Sequence, residues 1–297
     1  MKQTYRYLDP LALAKLGGLD IKARTVVEGF ISGAHKSPYK GFSVEFAEHR
    51  EYVKGDDPKH LDWKLQAKTN RYYIKQYEEE TNMRVYILLD SSASMGYKST
   101  GLTKFEYGCY LAASLAYLII RQQDSAGLMV FDKKVQLFIP PRSSPTHLRQ
   151  LLIQLERTRT AGTSGMGRSF HDLAERLKRR GLIVVISDFL DDPKEILSGL
   201  AHFRHKRHEV VAMQVLDHFE LDFPFRAQAT FRDMETDQRM MIDPARLREQ
   251  YKNELQKFLD SLKSGFSAND IDHVVADTSK PFDQLLAAYL SKRLLLR

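Results

Sequence analysis

From residue 84 onward, short apolar runs alternate with longer stretches in which apolar positions recur every three to four residues. The runs at 85–89, 126–131, 182–187 and 209–216 are brief and bounded by polar turns, the pattern of buried strands. Residues 135–139 form a further strand, joined to 126–131 by the hairpin-like connection Asp132-Lys133-Lys134, and 273–276 a last short one. The spacing predicts helices over 104–122, 146–157, 169–180, 193–205, 244–262 and 281–295. The helix at 193 opens on a proline, which suits the first helical position. Alternation of this kind predicts an α/β fold: a doubly wound, mostly parallel sheet with helices on both faces. Residues 182–186 and 210–215, with Gln214 as the exception, are continuously apolar, as parallel strands covered on both faces must be. One segment stands outside the alternation. Residues 227–242 carry Thr230-Phe231-Arg232 and Arg239-Met240-Met241-Ile242 around Glu235-Thr236-Asp237, and read as an inserted β-hairpin.

The first 83 residues follow a different rhythm, so the chain divides into a small N-terminal α+β subdomain, 1–83, and a larger domain, 84–297. The subdomain's pattern predicts helices near 10–16 and 21–31, a Gly/Ser/Pro-rich turn at 33–41, and strands at 43–52 and 71–78. Trp63 is the expected packing anchor there, with Asp56, Asp57 and Asp62 as turn or capping residues. At 43% apolar and 28% charged, the composition is that of a folded chain rather than a disordered one. A net charge of +7 suits an acidic partner without demanding one. The single cysteine, Cys109, excludes an internal disulfide and a cysteine zinc site, and its helix makes it a core residue. No secretory pattern opens the chain, and the longest uncharged apolar stretch, 108–120, is too short for a bilayer. A cytoplasmic protein without membrane contact is therefore expected.

Three short pieces carry candidate chemistry. Asp90-x-Ser92-x-Ser94 follows the run 85–89, Thr163 lies in the turn Ala161-Gly162-Thr163-Ser164-Gly165, and Asp188 directly follows 182–187. Two carboxylates and three hydroxyls are hard oxygen donors of the kind Mg²⁺ (or Mn²⁺) prefers. Two of the pieces fall at the carboxyl ends of strands, where open α/β sheets place their ligands. Taken singly, the same residues are ordinary helix caps and turns, and Asp90-Ser91-Ser92 reads equally as a helix start.

Other groupings point less far. His202, His205 and His208 recur at helical spacing, yet Arg204, Lys206 and Arg207 lie between them, so they read as the cationic end of a helix. His49, His60 and His147 are isolated and expected on the surface or in loops, and Glu78-Glu79-Glu80 as a solvated run. Neither a phosphate-binding G-x-x-x-x-G-K-[ST] nor a G-x-S-x-G elbow is present. The glycines around Thr163 read instead as room for it to approach a metal. Basic and aromatic residues are interleaved early in the chain: Tyr5, Tyr7, Lys22, Arg24, Lys36, Tyr39, Lys40, Arg71, Tyr72 and Tyr73. They suit stacking on a single-stranded nucleic acid or, as preferred here, packing within the subdomain.

Asp90, Ser92, Ser94, Thr163 and Asp188, with Met95-Gly96 after the first piece, resemble the metal-ion-dependent adhesion site of the von Willebrand factor A-type domain. The upstream segments Gly41-Phe42-Ser43-Val44-Glu45-Phe46, Arg50-Glu51-Tyr52, Gly55-Asp56-Asp57-Pro58, Leu61-Asp62-Trp63 and Ala67-Lys68-Thr69 narrow this further. They are similar to the signature of the bacterial domain-of-unknown-function-fifty-eight family, a resemblance covering about 20–290. It implies an A-type sheet and a bound Mg²⁺. Ser92 and Ser94 would bind directly, Thr163 directly or through water, and Asp90 and Asp188 through coordinated waters or directly. It further implies a partner protein whose carboxylate completes the metal shell, namely a MoxR-type AAA+ ATPase and its client. On this resemblance the protein is a non-enzymatic adaptor or assembly factor. The competing expectation, a metal-dependent phosphate-ester hydrolase, needs a base or nucleophile beside the ion. Apart from the two aspartates, the loops offer only hydroxyls, notably Ser91 and Ser164. Binding of nucleic acid by the basic aromatic region is the third reading.

Overall fold

The computed structural model describes residues 5–9, 44–53, 61–69, 71–79, 83–163 and 165–295. The helices expected near 10–16 and 21–31, the turn at 33–41, and Asp56, Asp57, His60, Glu80 and Ser164 lie outside the described residues, as do the side chains of His49, Glu78 and Glu79. Two compact units result: the described residues of 34–82, and those of 1–33 together with 83–297.

In the smaller unit, strands β1 (Val44–Glu51) and β2 (Tyr73–Glu79) pair antiparallel, and helix α1 (Trp63–Thr69) lies between them in sequence. Asp62 sets the start of α1, its Oδ1 accepting the Leu65 N–H at 3.1 Å. Trp63 is not the anchor expected of it. It is 62% exposed at the first position of a two-turn helix that its cap, rather than core packing, holds in place.

The larger unit is built on a six-stranded sheet. Its strands are β3 (Arg84–Asp90), β4 (Ser125–Phe131), β5 (Val135–Arg142), β6 (Leu182–Ser187), β7 (Glu209–Leu216) and β10 (Asp272–Asp277). Their spatial order is β10-β7-β6-β3-β4-β5, parallel throughout except for the antiparallel edge strand β5. This is the doubly wound α/β arrangement that the alternation predicted. Residues of β3 alternate between the two faces. Val85, Ile87 and Leu89 pack on one side with α2 (Lys104–Arg121) and α3 (Pro145–Arg157). Tyr86 and Leu88 pack on the other with α4 (Met166–Arg176) and α5 (Pro193–His205). Cys109 is fully buried in α2. Tyr7 is buried edge-on against Tyr110, 5.3 Å between centroids, so it serves the core rather than a stacking surface.

Three differences from the sequence reading have plain causes. Helix α4 runs from Met166 to Arg176 instead of 169–180, because its buried stripe of Met166, Phe170, Leu173, Ala174 and Leu177 begins earlier. Residues 177–181 are then needed to reverse the chain into β6. Helix α7 (Pro244–Ala268) continues six residues past 262, since Phe266 lies one turn beyond Leu262 on the same buried face. Helix α6 (His218–Asp222) is too short for periodicity to reveal, and a capping box of Asp217 and Glu220 holds it. Strands β8 (Ala229–Arg232) and β9 (Arg239–Ile242) form the expected inserted hairpin, and helix α8 (Phe282–Leu295) ends the described chain. Among the described residues no helix is long and apolar enough to cross a membrane.

The histidines also move. His147 is not a surface residue: it is buried in the first turn of α3, and its Nε2 donates to the Ala126 carbonyl at 2.8 Å. His202 and His205 do close α5, but His208 is buried beyond the helix, where desolvation holds its imidazole below the ordinary range. His273 on β10 donates through Nε2 to Gln214 Oε1 at 2.9 Å, and burial first, then Lys263, lowers its pKa to about 4. A histidine lowered from about 6.5 in the unfolded chain keeps its stabilising effect above that pH and loses it on acidification. The unfolding free energy read by urea denaturation is therefore expected to fall between about pH 6.5 and 4, by on the order of 1–3 kcal/mol. His273→Gln should flatten that segment of the pH profile; an unchanged slope would assign the loss to other groups.

Candidate metal site

The strand order reverses between β3 and β6, and both run parallel, so their carboxyl ends flank the switch-point crevice where such sheets bind ligands. Asp90 is the last residue of β3, and Asp188 follows Ser187 at the end of β6. Asp90 is 1% exposed, Asp188 fully buried. Asp90 Oδ1 accepts the Ser92 N–H at 2.8 Å and Oδ2 accepts the Ser187 hydroxyl at 2.6 Å. A short 3₁₀ turn over Ala93–Gly96 follows, with Ser92 at its N-cap position. The capping reading of Ser92 fails here, because its side chain makes no cap hydrogen bond. Its hydroxyl lies instead 3.1 Å from that of Ser94. Adjacent ligands of an octahedral Mg²⁺ with oxygens at about 2.1 Å are separated by about 3.0 Å, so the two hydroxyls are spaced as neighbouring ligands would be.

The Thr163 loop is stitched to this turn by backbone bonds. Ala93 N–H donates to Gly162 O at 3.2 Å, and Ala161 N–H donates to Ser91 O at 2.9 Å. Gly162 takes φ +81°, and a Cβ there would meet Asp132 Oδ2 at 2.9 Å, so glycine is required for the close approach. Thr163 is half-buried beside this seam. Ser91 is committed elsewhere, its hydroxyl donating to Phe131 O at 3.0 Å.

A family model described as "Protein of unknown function DUF58" matches residues 48–258. The chain belongs to the DUF58 family. It is 27% identical over 242 residues to uncharacterized protein Rv1480 of Mycobacterium tuberculosis strain H37Rv, covering 80% of this chain and 76% of that protein. The same figures hold for uncharacterized protein Mb1516 of Mycobacterium bovis. Among solved structures, the DUF58 chain is similar to the conserved hypothetical protein BatB of Bacteroides thetaiotaomicron. The identity is 15% and the TM-score 0.45, covering 71% of this chain and 98% of that one. It is also similar to the SpRpn10 VWA domain, at 14% identity and TM-score 0.41, covering 69% and 94% of the two chains.

Next to the five residues that the sequence singled out, the structure adds a buried cation that sequence reasoning missed. Asp188 Oδ1 accepts the Leu190 N–H at 3.1 Å, while Oδ2 accepts from Lys104 Nζ at 2.8 Å. Lys104, fully buried at the start of α2, also donates to Glu220 Oε1 at 2.7 Å. Glu220 Oε2 accepts the Asp217 N–H at 2.8 Å, and Asp217 Oδ2 accepts the Ser99 N–H at 2.9 Å. Gln214, the polar exception in β7, donates to the Asp188 carbonyl at 3.0 Å. One signal was available for Lys104: a cation in the first turn of a helix opposes the helix dipole, so it calls for a carboxylate partner.

The electrostatics follow from this arrangement. Burial and then the charge of Asp188 push the Asp90 carboxyl above the usual carboxylate range. Burial would lower the Lys104 ammonium, but Asp188 and Glu220 outweigh it and leave Lys104 above its ordinary value. Glu220 is raised, chiefly by burial, against the pull of Lys104. One ammonium thus faces Asp188 and Glu220, with Asp90 adding a further carboxylate. Among the described residues no three His, Cys, Asp or Glu side chains gather as a ligand set. The donors here are of another kind: two hydroxyls 3.1 Å apart and two buried carboxylates, hard oxygens of the type a divalent cation takes.

Proposed function

We propose that this DUF58 chain is a metal-dependent protein-binding module. Ser92 and Ser94 hold Mg²⁺ or Mn²⁺ directly, Thr163 directly or through water, and Asp90 and Asp188 hold its coordinated waters. The observation that carries this reading is the uncapped pair of hydroxyls, 3.1 Å apart at the switch point beside two buried carboxylates. When bound, the ion supplies a strong, incompletely screened positive charge. With at most three protein oxygens bound directly and waters in other positions, the shell has room for a partner's carboxylate in place of a water. The chain's own residues fix that geometry: Ser187 and the Ser92 N–H orient Asp90, and Lys104 orients Asp188. Binding is favoured over phosphate-ester hydrolysis because the titratable groups that folding adds to the site, Lys104 and Glu220, are committed to an ion-pair cluster with Asp188. The family resemblance implies the partner, a MoxR-type AAA+ ATPase with its client, and the setting is cytoplasmic.

Calorimetric titration of Mg²⁺ and Mn²⁺ into the purified protein tests the site. One ion per chain is expected for wild type, and affinity weaker by roughly tenfold or more in Ser92→Ala and Ser94→Ala. Absence of binding in wild type, or equal binding in both variants, would overturn the reading.

A further inference from the structure

Near the site lies an open cleft of about 680 Å³ bordered by α6, α7 and the β8–β9 hairpin, a size ordinary for a ligand pocket. Six aromatic rings line it: Tyr97, Phe219, Phe223, Phe225, Phe231 and Tyr251. Phe223 sits at the end of α6 in the left-handed region, φ 48°, and stacks on both Tyr251 and Phe231 at 4.4 and 5.9 Å between centroids. A bulky residue in that conformation persists only where its surroundings hold it, and such strain gathers at functional sites.

The cavity is linked to the candidate metal site through intermediate residues. Tyr97 follows the turn that carries Ser94. Glu220, on the cavity wall, holds Lys104, which holds Asp188. Met234, at the tip of the hairpin, reaches the same turn: a Cβ at Gly96 would lie 3.4 Å from its methyl carbon. Exposed apolar side chains also occur on the same segments: Leu190, two residues after Asp188, is 41% exposed, and Met240 and Met241 of β9 are 67% and 70% exposed. Methionines so placed give an adaptable contact surface.

The charges of the lining decide what the cavity accepts. Glu220 is compensated by Lys104, Glu254 by Lys257 at 2.7 Å, and Arg232 by Asp237. Glu220 shares Lys104 with Asp188 and Arg232 is paired, so the described wall offers no free cation to draw an acid inward, and its aromatic lining suits an apolar occupant.

We propose that the partner segment whose carboxylate meets the metal also carries, within a few residues, an aromatic or large aliphatic side chain that fills this cavity. The site then recognises an acidic–hydrophobic segment rather than an isolated acid. This rests on the metal-dependent reading above, and the test separates the two. A phage-displayed library of random twelve-residue peptides is selected on the immobilised full chain with Mg²⁺, with EDTA, and with two variants. Ala229→Trp fills the cavity from its wall, and Phe231→Ser opens it; thermal melts confirm that both remain folded. Wild type with Mg²⁺ should enrich Asp or Glu close to Phe, Trp, Leu or Met, and EDTA should abolish that enrichment. Both variants should keep the acid and its Mg²⁺ dependence, lose the apolar preference, and bind the best wild-type peptide about tenfold more weakly or worse. Mg²⁺-dependent acidic pools without an apolar neighbour would overturn this inference and leave the metal reading standing. Pools indifferent to EDTA, or no enrichment at all, would overturn both. Basic or aromatic-cationic pools would make the cavity a cation cage and overturn this inference.

Discussion

Lys104→Met is expected to lower the free energy of unfolding by about 3–5 kcal/mol at neutral pH, read by urea denaturation with circular dichroism. The size follows from burial: the ammonium and the Asp188 carboxylate are both fully buried, and methionine fills the volume without the charge. Asp188 and Glu220 would then face a low-dielectric interior with no compensating cation. Each must either stay ionised at a cost or take up a proton. The pH dependence carries the sign. In the variant Glu220, already raised by burial, loses the pull of Lys104 and rises further above the unfolded value near 4, so its neutral form favours the fold at acid pH. The deficit relative to wild type should therefore shrink as pH falls toward about 4 and widen above it. Adding Asp188→Asn and Glu220→Gln to Lys104→Met should recover much of the loss, because replacing all members of a buried charge cluster is far milder than removing one. A loss below about 1 kcal/mol would show the three groups to be solvated, as in a surface pair.

Lys104 also marks where sequence reading stops. The strands were legible because parallel strands covered on both faces must be apolar throughout, and 182–187 and 209–216 are. The candidate aspartates and serines could be singled out because each pattern is local: a carboxylate at a strand end, hydroxyls two residues apart, glycines beside Thr163. The counter-ion was not, since Lys104 lies 84 residues from Asp188 and 116 from Glu220, and only the fold brings them together. Gln214 shows the same limit from the other side. It looked like an interruption in a strand, and becomes the bridge between His273 and the Asp188 carbonyl once β10, β7 and β6 lie side by side. His147 and Trp63 were misplaced for a related reason. Residue type sets an average exposure, whereas the Ala126 carbonyl and the α1 cap decide the particular one.

At Asp90 the two contributions of the carboxylate, charge and hydrogen bonding, separate by choice of substitution. Asp90→Asn retains an acceptor for the Ser92 N–H or the Ser187 hydroxyl and removes the repulsion that Asp188 exerts on Asp90. Its stability without metal should stay within about 1 kcal/mol of wild type. Asp90→Ala leaves both donors buried without an acceptor, at about 1–3 kcal/mol each, so it should be destabilised although folded. The metal response divides differently. At a Mg²⁺ concentration of 100 times Kd, wild type should gain about 2.7 kcal/mol, and both variants should gain almost none. Thermal melts with Mg²⁺ and with EDTA read both effects at once. Asp90→Asn that keeps its metal-free stability and loses the Mg²⁺ gain assigns the charge of Asp90 to the ion. A collapse of the helical signal in Asp90→Asn would instead assign that charge to the fold, and an undiminished Mg²⁺ gain would place the ion away from the end of β3.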